Sequence, residues 1–201
     1  MKPLPQKWFE GDAVELAPKL LGKVVKRGSC TGVIVEAEAY TSDPASHAYR
    51  VTKRSLPMLE THGRWYVYFT YGMHWCANVT TNRGAAGAVL IRAVEPIKGL
   101  TLMRRRRLGK SDFPKRRIPD AELCNGPAKF CQAFGVTGRE NTRPLDATFG
   151  IYEAGPSDTI YGIGRTTLSP NDIGISGRIG ITAGAELPWR FYIKDNPFVS
   201  R

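Results

Sequence analysis

Two acidic residues and a tyrosine on one predicted strand are the first residues whose types and spacing could do chemistry. From Cys30 to Tyr40 small apolar residues alternate with Glu36, Glu38 and Tyr40, so a strand places these three side chains on one face. Carboxylates two positions apart lie roughly 7 Å from each other along a strand, a spacing that could hold a water for general-base attack on a glycosidic carbon. Tyr40 offers a flat surface on which a base could stack. The competing interpretation is an ordinary strand with one polar face toward solvent.

Tyr40 leads directly into a long polar segment, residues 41–64, which contains His47 and the basic sequence Thr52-Lys53-Arg54-Ser55. A loop of this length inside a compact domain is usually either functional or disordered. The sequence therefore predicts an irregular segment here, next to the strand that carries the two carboxylates.

The most aromatic stretch is Trp65 to Val79, which holds six of the chain's 20 Trp, Tyr and Phe residues. Its aromatic and β-branched residues predict two strands. Gly72 predicts a tight turn between them and suits the first central position of a type II′ turn, where φ is positive. Tyr71 is then at or beside the tip of a hairpin.

Charge around this predicted hairpin is positive. No Asp or Glu occurs between Glu60 and Glu95, whereas Arg64, Arg83 and Arg92 do. An aromatic tip on an acid-free hairpin is suited to entering a nucleic-acid groove or stacking on bases. The competing interpretation is a Tyr- and Trp-rich pair of core strands.

A second candidate site is the start of a predicted helix. Pro127 fits the first helical position and Gly135 the stop that follows the helix. The N-terminus of a helix presents unpaired amides and a positive dipole, and Lys129 lies in the first turn, so the pattern predicts a phosphate site. An ordinary amphipathic helix with its apolar side chains packed inward is the other interpretation, and both can hold together.

Composition favours a folded, basic protein with a polyanionic partner. The chain has 201 residues, 42% of them hydrophobic, and 29 Lys and Arg against 18 Asp and Glu give a net charge of +11. Such a balance points to nucleic acid ahead of an acidic membrane surface, although a solvated basic surface is also possible. No apolar run approaches a membrane span and the first residues lack a signal peptide's apolar stretch, so we expect a soluble protein.

Cysteines and histidines show no metal-binding spacing. The four cysteines lack a C-x-x-C pair, and the three histidines lack an H-x-x-x-H pair. We therefore expect buried thiols and no structural or catalytic zinc.

The remaining patterns predict one compact mixed α/β domain over residues 1–201, because no repeat and no domain boundary is visible. Residues 98–117 carry nine Lys or Arg against one acid and predict a helix that leads into a basic loop. The other predicted segments are a helix from the cap Asp12 to the stop at Gly22, strands at Lys23 to Lys26 and Cys30 to Tyr40 joined at Gly28-Ser29, and a strand at Gly87 to Val94.

Seven sequence motifs follow one another in a fixed order along the chain. They are Val35 to Tyr40, His47, Tyr66 to Met73, Asn78, Leu90 to Pro96, Leu123 to Lys129, and Arg178 to Ile181. In this order they resemble the alkyladenine (3-methyladenine, or methylpurine) DNA glycosylase family of the mammalian type. The resemblance runs from about Leu20 to the end of the sequence.

The resemblance implies an α+β fold: a single compact domain with a mixed, mostly antiparallel curved sheet, surrounding helices and a protruding β-hairpin that intercalates into DNA. It also implies a monofunctional base-excision-repair enzyme without metal or organic cofactor. Such an enzyme binds double-stranded DNA, flips out a damaged purine (3-methyladenine, 7-methylguanine, hypoxanthine or ethenoadenine) and cuts its N-glycosidic bond. We expect a monomer, cytoplasmic and nucleoid-associated, with no membrane partner.

Roles for individual residues follow from the same resemblance. It implies that Glu38 is the general base that activates water and that Arg92 helps to hold this water. It further implies that Tyr40, His47 and Tyr68 form the pocket that sandwiches and recognises the base.

For the DNA itself, the resemblance implies that Tyr71 intercalates and fills the gap left by the flipped nucleotide, with Met73 beside it as a further DNA contact. Asn78 occupies the position at which the family excludes the guanine amino group. Arg54 and Lys129 are implied as contacts to the DNA backbone.

Elementary chemistry agrees with this assignment. An alkylated purine such as 3-methyladenine is already cationic, so the pocket needs aromatic faces for the cation and one carboxylate to activate water and steady the sugar. No lysine lies beside Glu38 or in the hairpin, which disfavours a Schiff-base lyase.

Two questions stay open at the level of sequence. A two-residue turn puts Tyr68 and Asn78 on opposite faces of the hairpin, so both can line one pocket only if the turn is longer or a bulge intervenes. The competing function is a non-catalytic, damage- or structure-sensing nucleic-acid-binding protein that uses the same hairpin. Glu38 separates the two functions, because a pure binder has no use for a carboxylate facing DNA.

Overall fold

The computed structural model of this chain describes residues 2–81, 84–113, 116–156, 158, 160–161, 164 and 167–200, with only the backbone at 110 and 111. Arg83, one of the three arginines noted near the hairpin, lies outside this range. Four α-helices occur in the described residues, and none of them is both long and apolar enough to cross a membrane. They are α1 Ala13–Leu20, α2 Leu56–Glu60, α3 Leu100–Asp112 and α4 Pro127–Phe134.

Eight strands form one sheet in which every described pairing is antiparallel, which confirms the predicted α+β class. The main path runs β3-β4-β5-β2-β1-β6, and β8 pairs with both β2 and β7. The strands are β1 Val24–Arg27, β2 Cys30–Tyr40, β3 Trp65–Thr70, β4 His74–Thr80, β5 Ala88–Lys98, β6 Phe149–Tyr152, β7 Ile173–Ser176 and β8 Arg190–Ile193.

Strand β2 is the centre of the sheet, since it pairs with β1, β5 and β8. Glu36 and Glu38 lie in this central strand and both are completely buried. The interpretation of β2 as a strand with one solvent-facing polar side is therefore wrong. Side chains of β5 and β8, the Ile179 amide and Ser200 contact the two carboxylates, which are enclosed by protein.

A β-bulge places an arginine beside these carboxylates. Along β2 and β5, Glu36 pairs with Ala93 and Ala37 pairs with Ile91, so Arg92 is the extra residue of β5. A bulge locally re-aims the side chain of the extra residue. It directs the guanidinium of Arg92 toward the buried face of β2.

The hairpin β3–β4 has a longer turn than the one predicted. Thr70 pairs with His74, which leaves the three residues Tyr71, Gly72 and Met73 in the loop. The amide of Met73 donates to the Thr70 carbonyl at 3.2 Å, and both Tyr71 and Gly72 have positive φ, 51° and 65°. Gly72 is thus the second central residue of this turn, and its assignment to the first position of a type II′ turn is wrong.

The longer turn settles which hairpin residues share a face. Tyr68 pairs with Cys76 and Tyr66 pairs with Asn78, and directly opposed residues of an antiparallel pair project to the same side. Tyr68 and Asn78 therefore lie on one face of the hairpin. A turn longer than two residues was the condition under which both could line one pocket.

The two faces of the hairpin bury side chains in different clusters. Trp65 enters the main core, where its ring stacks on the Phe149 ring with centroids 3.7 Å apart. The four cysteines of the chain are buried free thiols. Tyr66 enters a smaller cluster with Met58 of α2, and Tyr40 and Tyr68 pack against this second cluster. Helix α2 was not predicted within the irregular segment 41–64. It supplies the floor beneath the site described below.

Two of the four arginines of the run in α3 make contacts within the protein. Arg106 donates to the Ala133 carbonyl at 3.0 Å and so satisfies the C-terminal end of α4, while Arg104 forms an ion pair with Asp120. Arg105 is exposed. The run therefore adds less free positive surface than its composition indicates.

Candidate functional site

The carboxylate of Glu38 is fully buried and contacts three groups that line an open cleft. Its Oε1 accepts a hydrogen bond from the Ile179 amide at 2.9 Å and lies 3.3 Å from Arg92 Nη1. Its Oε2 accepts a hydrogen bond from the Tyr40 hydroxyl at 2.8 Å. Because Tyr40, Arg92 and Ile179 line the cleft, Glu38 lies directly behind the cleft wall.

Burial dominates the protonation of Glu38. Loss of hydration raises its pKa above the ordinary value of 4.5, while the charge of Arg92 and the bonds from Ile179 and Tyr40 oppose that shift. A carboxylate with a raised pKa is a stronger base than an exposed glutamate once it is ionised. The local geometry is thus that of a candidate general base.

The cleft continues into a smaller recess. The open part and the recess share Tyr40, Ala45, His47 and Tyr68. Asn78 lines only the recess, where its amide nitrogen donates to the Tyr66 carbonyl at 3.0 Å. The structure therefore brings together the four residues predicted to surround a base.

Aromatic contacts organise the recess. The rings of His47 and Tyr68 meet edge to face with centroids 4.5 Å apart, and His47 Nδ1 lies 2.8 Å from the Tyr66 hydroxyl. Burial and the nearby charge of Arg54 lower the pKa of His47 to about 4, so the imidazole is neutral at physiological pH. Burial raises the pKa of Tyr66 to about 12. The wall is aromatic and carries no charge of its own.

Arg178 is a site residue to which sequence analysis gave no role. Its guanidinium stacks on the Tyr40 ring at 4.7 Å, forms a bidentate ion pair with Asp43 at 2.6 and 3.2 Å, and donates to the Ala39 carbonyl at 3.0 Å. Asp43 also accepts hydrogen bonds from the amides of Thr41 and Ala45. One buried ion pair thus fixes both the tyrosine and the segment that leads to His47.

The tip of the hairpin is apolar and exposed. Tyr71 is 78% and Met73 66% exposed, and Tyr71 also lines the cleft. Large exposed apolar side chains at one place are typical of an interaction surface. The predicted DNA-contacting tip lies at the mouth of the cleft.

The two predicted backbone-contact residues differ in their surroundings. Arg54 is exposed, donates to the Phe69 carbonyl at 2.7 Å and stacks on the Tyr68 ring at 4.8 Å. Lys129 is half-buried in the first turn of α4, where its ammonium donates to Asn125 Oδ1 at 2.8 Å. Pro127 at the start of this helix lines the cleft, which places the predicted phosphate site at the cleft's edge.

The chain matches a known protein family over most of its length. The model of the family described as methylpurine-DNA glycosylase matches residues 7–197. A protein of Rhodopseudomonas palustris is 43% identical over 99% of this chain and 89% of its own length. Proteins of Burkholderia cenocepacia and Carboxydothermus hydrogenoformans are 40% and 41% identical over 98% of this chain, and over 90% and 98% of their own lengths.

All three relatives carry the provisional name 3-methyladenine DNA glycosylase. The family match extends over nearly the whole chain and includes every residue of the cleft. The chain belongs to the methylpurine-DNA glycosylase family, a family of DNA-repair enzymes that bind DNA and hydrolyse N-glycosidic bonds.

Proposed function

We propose that this enzyme releases alkylated and deaminated purines from duplex DNA by the attack of a water that Glu38 activates. The observation that carries the proposal is the buried Glu38 carboxylate held against Arg92 behind the wall of an aromatic cleft. Of the contacts described, Oε2 accepts only the Tyr40 hydroxyl, so this oxygen keeps a lone pair for the water proton. Arg92 would hold the same water and orient its oxygen toward the anomeric carbon.

The attack of the water forms one bond to the sugar and breaks another. The water oxygen bonds to the anomeric carbon, the N-glycosidic bond breaks and its electrons leave with the purine, and Glu38 takes the proton of the water. A purine that alkylation has made cationic leaves as a neutral base, whereas hypoxanthine or ethenoadenine leaves as an anion that then takes a proton from solvent. The negative charge of Glu38 also stabilises the positive charge that develops on the sugar.

The recess suits a flat, electron-poor base. Tyr40, His47 and Tyr68 present aromatic rings, and because His47 is neutral none of the side chains that line the recess is positively charged. Asn78 is positioned to select among purines by a contact to their edge. We propose 3-methyladenine, 7-methylguanine, hypoxanthine and ethenoadenine as the substrate range.

Access to the recess requires base flipping. Extruding a base from duplex DNA costs a few kcal/mol, least for a damaged or mispaired base. The exposed Tyr71 and Met73 would enter the stack and replace the contacts of the flipped nucleotide. Arg54 and Lys129 would hold the DNA backbone.

A second function, damage- or structure-sensing without catalysis, uses the same cleft and hairpin. The buried Glu38 favours the enzyme, because enclosing a carboxylate costs stability and repels DNA without helping a pure binder. We further propose that residues 1–201 act as one domain, as a monomer, on chromosomal DNA at the nucleoid in the cytoplasm.

The variant Glu38→Gln tests the proposal. Gln keeps the shape of Glu38 and can still accept from Ile179 and Arg92, but it cannot take a proton from water. We expect Glu38→Gln to bind lesion-containing duplex as the wild type does and to lose at least about 1,000-fold in single-turnover excision. The exposed Glu15 of α1, changed to Gln, is the matched control. Excision by Glu38→Gln at the wild-type rate would remove Glu38 from this role.

A further inference from the structure

Glu36 is the second buried carboxylate of β2, and its contacts differ from those of Glu38. It is completely buried and is not among the residues that line the cleft. Its Oε1 lies 2.5 Å from Arg190 Nε and 3.2 Å from Arg92 Nε, and its Oε2 accepts a hydrogen bond from the Ser200 amide at 2.7 Å. Of the three residues that donate to Glu36 only Arg92 lines the cleft, whereas all three groups that contact Glu38 line it.

The hydroxyl of Ser200 bridges Glu36 and Arg92. Ser200 Oγ donates to Glu36 Oε1 at 2.8 Å and accepts from Arg92 Nε at 3.0 Å. The segment that contains Ser200 is itself held by β8, because Arg190 Nη2 donates to the Ser200 carbonyl at 3.4 Å. Glu36, Arg92 and Ser200 are buried and Arg190 is half-buried, so the surrounding protein holds the bridging hydroxyl in place.

Arg92 is consequently held at both ends of its guanidinium. Nη1 lies against Glu38, and Nε lies against Ser200 and Glu36. A planar guanidinium fixed at two points keeps one orientation, which a single contact would not enforce. The β-bulge turns Arg92 toward β2, and the contacts at Nη1 and Nε then fix the orientation of its guanidinium.

We propose that Glu36 and Ser200 are positioning residues of the active site: they hold Arg92 in the orientation that aligns water for Glu38, and the charge of Glu36 offsets that of Arg92. This inference rests on the proposed roles of Glu38 and Arg92. Glu36 acts through Arg92 and touches no reacting atom, so it is not a second general base.

Removing the charge of Glu36 should change the pKa of Glu38, which the loss of a purely structural contact would not do. Arg92 lowers the pKa of Glu38 and Glu36 raises it. Without the charge of Glu36, Arg92 acts on Glu38 without this opposing charge, and the pKa of Glu38 falls. The titratable and charged groups that face Glu38 are Arg92 from β5, Arg190 from β8, Cys76 from β4, and Tyr40 and Glu36 from β2 itself.

Two variants test the inference in single-turnover release of 3-methyladenine from methylated duplex DNA over a series of pH values. We expect Glu36→Gln to slow release about tenfold at neutral pH and to move the acidic limb of the pH–rate profile down by about 1 pH unit. Ser200→Ala keeps all charges, so we expect a loss of about threefold with an unmoved limb. Glu15→Gln, on the exposed face of α1, should change neither the rate nor the limb.

Circular dichroism and thermal melting first establish that each variant is folded. A folded Glu36→Gln protein with the wild-type rate and the wild-type acidic limb would overturn this inference but leave the proposed function standing. If Glu36→Gln does not fold, Ser200→Ala decides: a wild-type rate overturns the inference, and a slower rate at equal DNA affinity supports it. A wild-type protein that releases no methylpurine would instead overturn the proposed function together with this inference.

Discussion

Glu38 carries its charge in a buried position, and this has consequences for both activity and stability. The raised pKa of Glu38 means that the base is lost, as pH falls, at a higher pH than for an exposed glutamate. Because the pKa of His47 is about 4, protonation of His47 does not produce an acidic limb above that pH. The position of the limb therefore reports on Glu38.

Stability follows from the same shift. Between the ordinary pKa of 4.5 and the raised pKa of folded Glu38, the native state binds more protons than the unfolded state. The free energy of unfolding therefore falls as pH rises through this window, and the full loss remains above it. We expect Glu38→Gln to melt at a higher temperature than the wild type at neutral pH, with the difference shrinking toward pH 4.5.

Thermal melting of both proteins over the same pH series measures this difference, with Glu15→Gln as the exposed control. An equal or lower melting temperature of Glu38→Gln at neutral pH would show that attraction to Arg92 outweighs the burial of the charge.

At the scale of elements, the hairpin determines how the enzyme would reach a base. Its turn illustrates what local sequence can predict. Gly72 indicates a turn because its φ is positive, but glycine fits several turn types equally well. The register was set instead by cross-strand pairs such as Tyr68 with Cys76, which no local rule supplies.

The variant Tyr71→Ala tests the role of the tip. Stacking of an aromatic side chain on bases contributes about 1 to 3 kcal/mol, so we expect lesion-duplex affinity to fall by a corresponding factor and excision to slow with it. Fluorescence anisotropy measures the affinity and single-turnover release the excision. Tyr161→Ala, at another exposed tyrosine, is the control. Unchanged affinity and rate in Tyr71→Ala would exclude intercalation by this residue.

Helix α2 and the Arg92 bulge were missed for different reasons. Helix α2 spans five residues, too few for a helical period to show in the sequence. The bulge depends on how β5 pairs with β2, and pairing across strands distant in sequence is not encoded locally. Helices α1 and α4, which have a cap at Asp12 and a stop at Gly135, were predicted correctly.

At the scale of the whole molecule, the net charge of +11 is not all available to DNA. The fold class, the central strand and the identity of the candidate site residues could be predicted, because they lie in short continuous motifs. The supporting ion pairs could not, because Arg178 and Asp43 are 135 positions apart and Ser200 and Glu36 are 164 apart. Only the folded chain brings them together.

The variant Arg106→Gln tests the structural use of the α3 arginines. It removes a charged donor from the Ala133 carbonyl, so we expect a loss of about 1 to 3 kcal/mol in the free energy of unfolding. The salt dependence of DNA binding should stay the same, because this arginine is not free to neutralise a phosphate. Arg105→Gln at the exposed neighbour should leave stability unchanged within about 0.5 kcal/mol. A smaller salt slope in Arg106→Gln, with unchanged stability, would contradict this.

The most direct test of the central claim is base release from duplex oligonucleotides that each carry one 3-methyladenine-type lesion, hypoxanthine or ethenoadenine, assayed with and without alkali. We expect the wild type to yield strand breaks only after alkali, since hydrolysis leaves an abasic site and, among the residues that the structure describes, no lysine lines the cleft or the recess. With Glu38→Gln we expect no breaks. Tight binding of lesion DNA by the wild type without any base release would contradict the account and favour the non-catalytic binder.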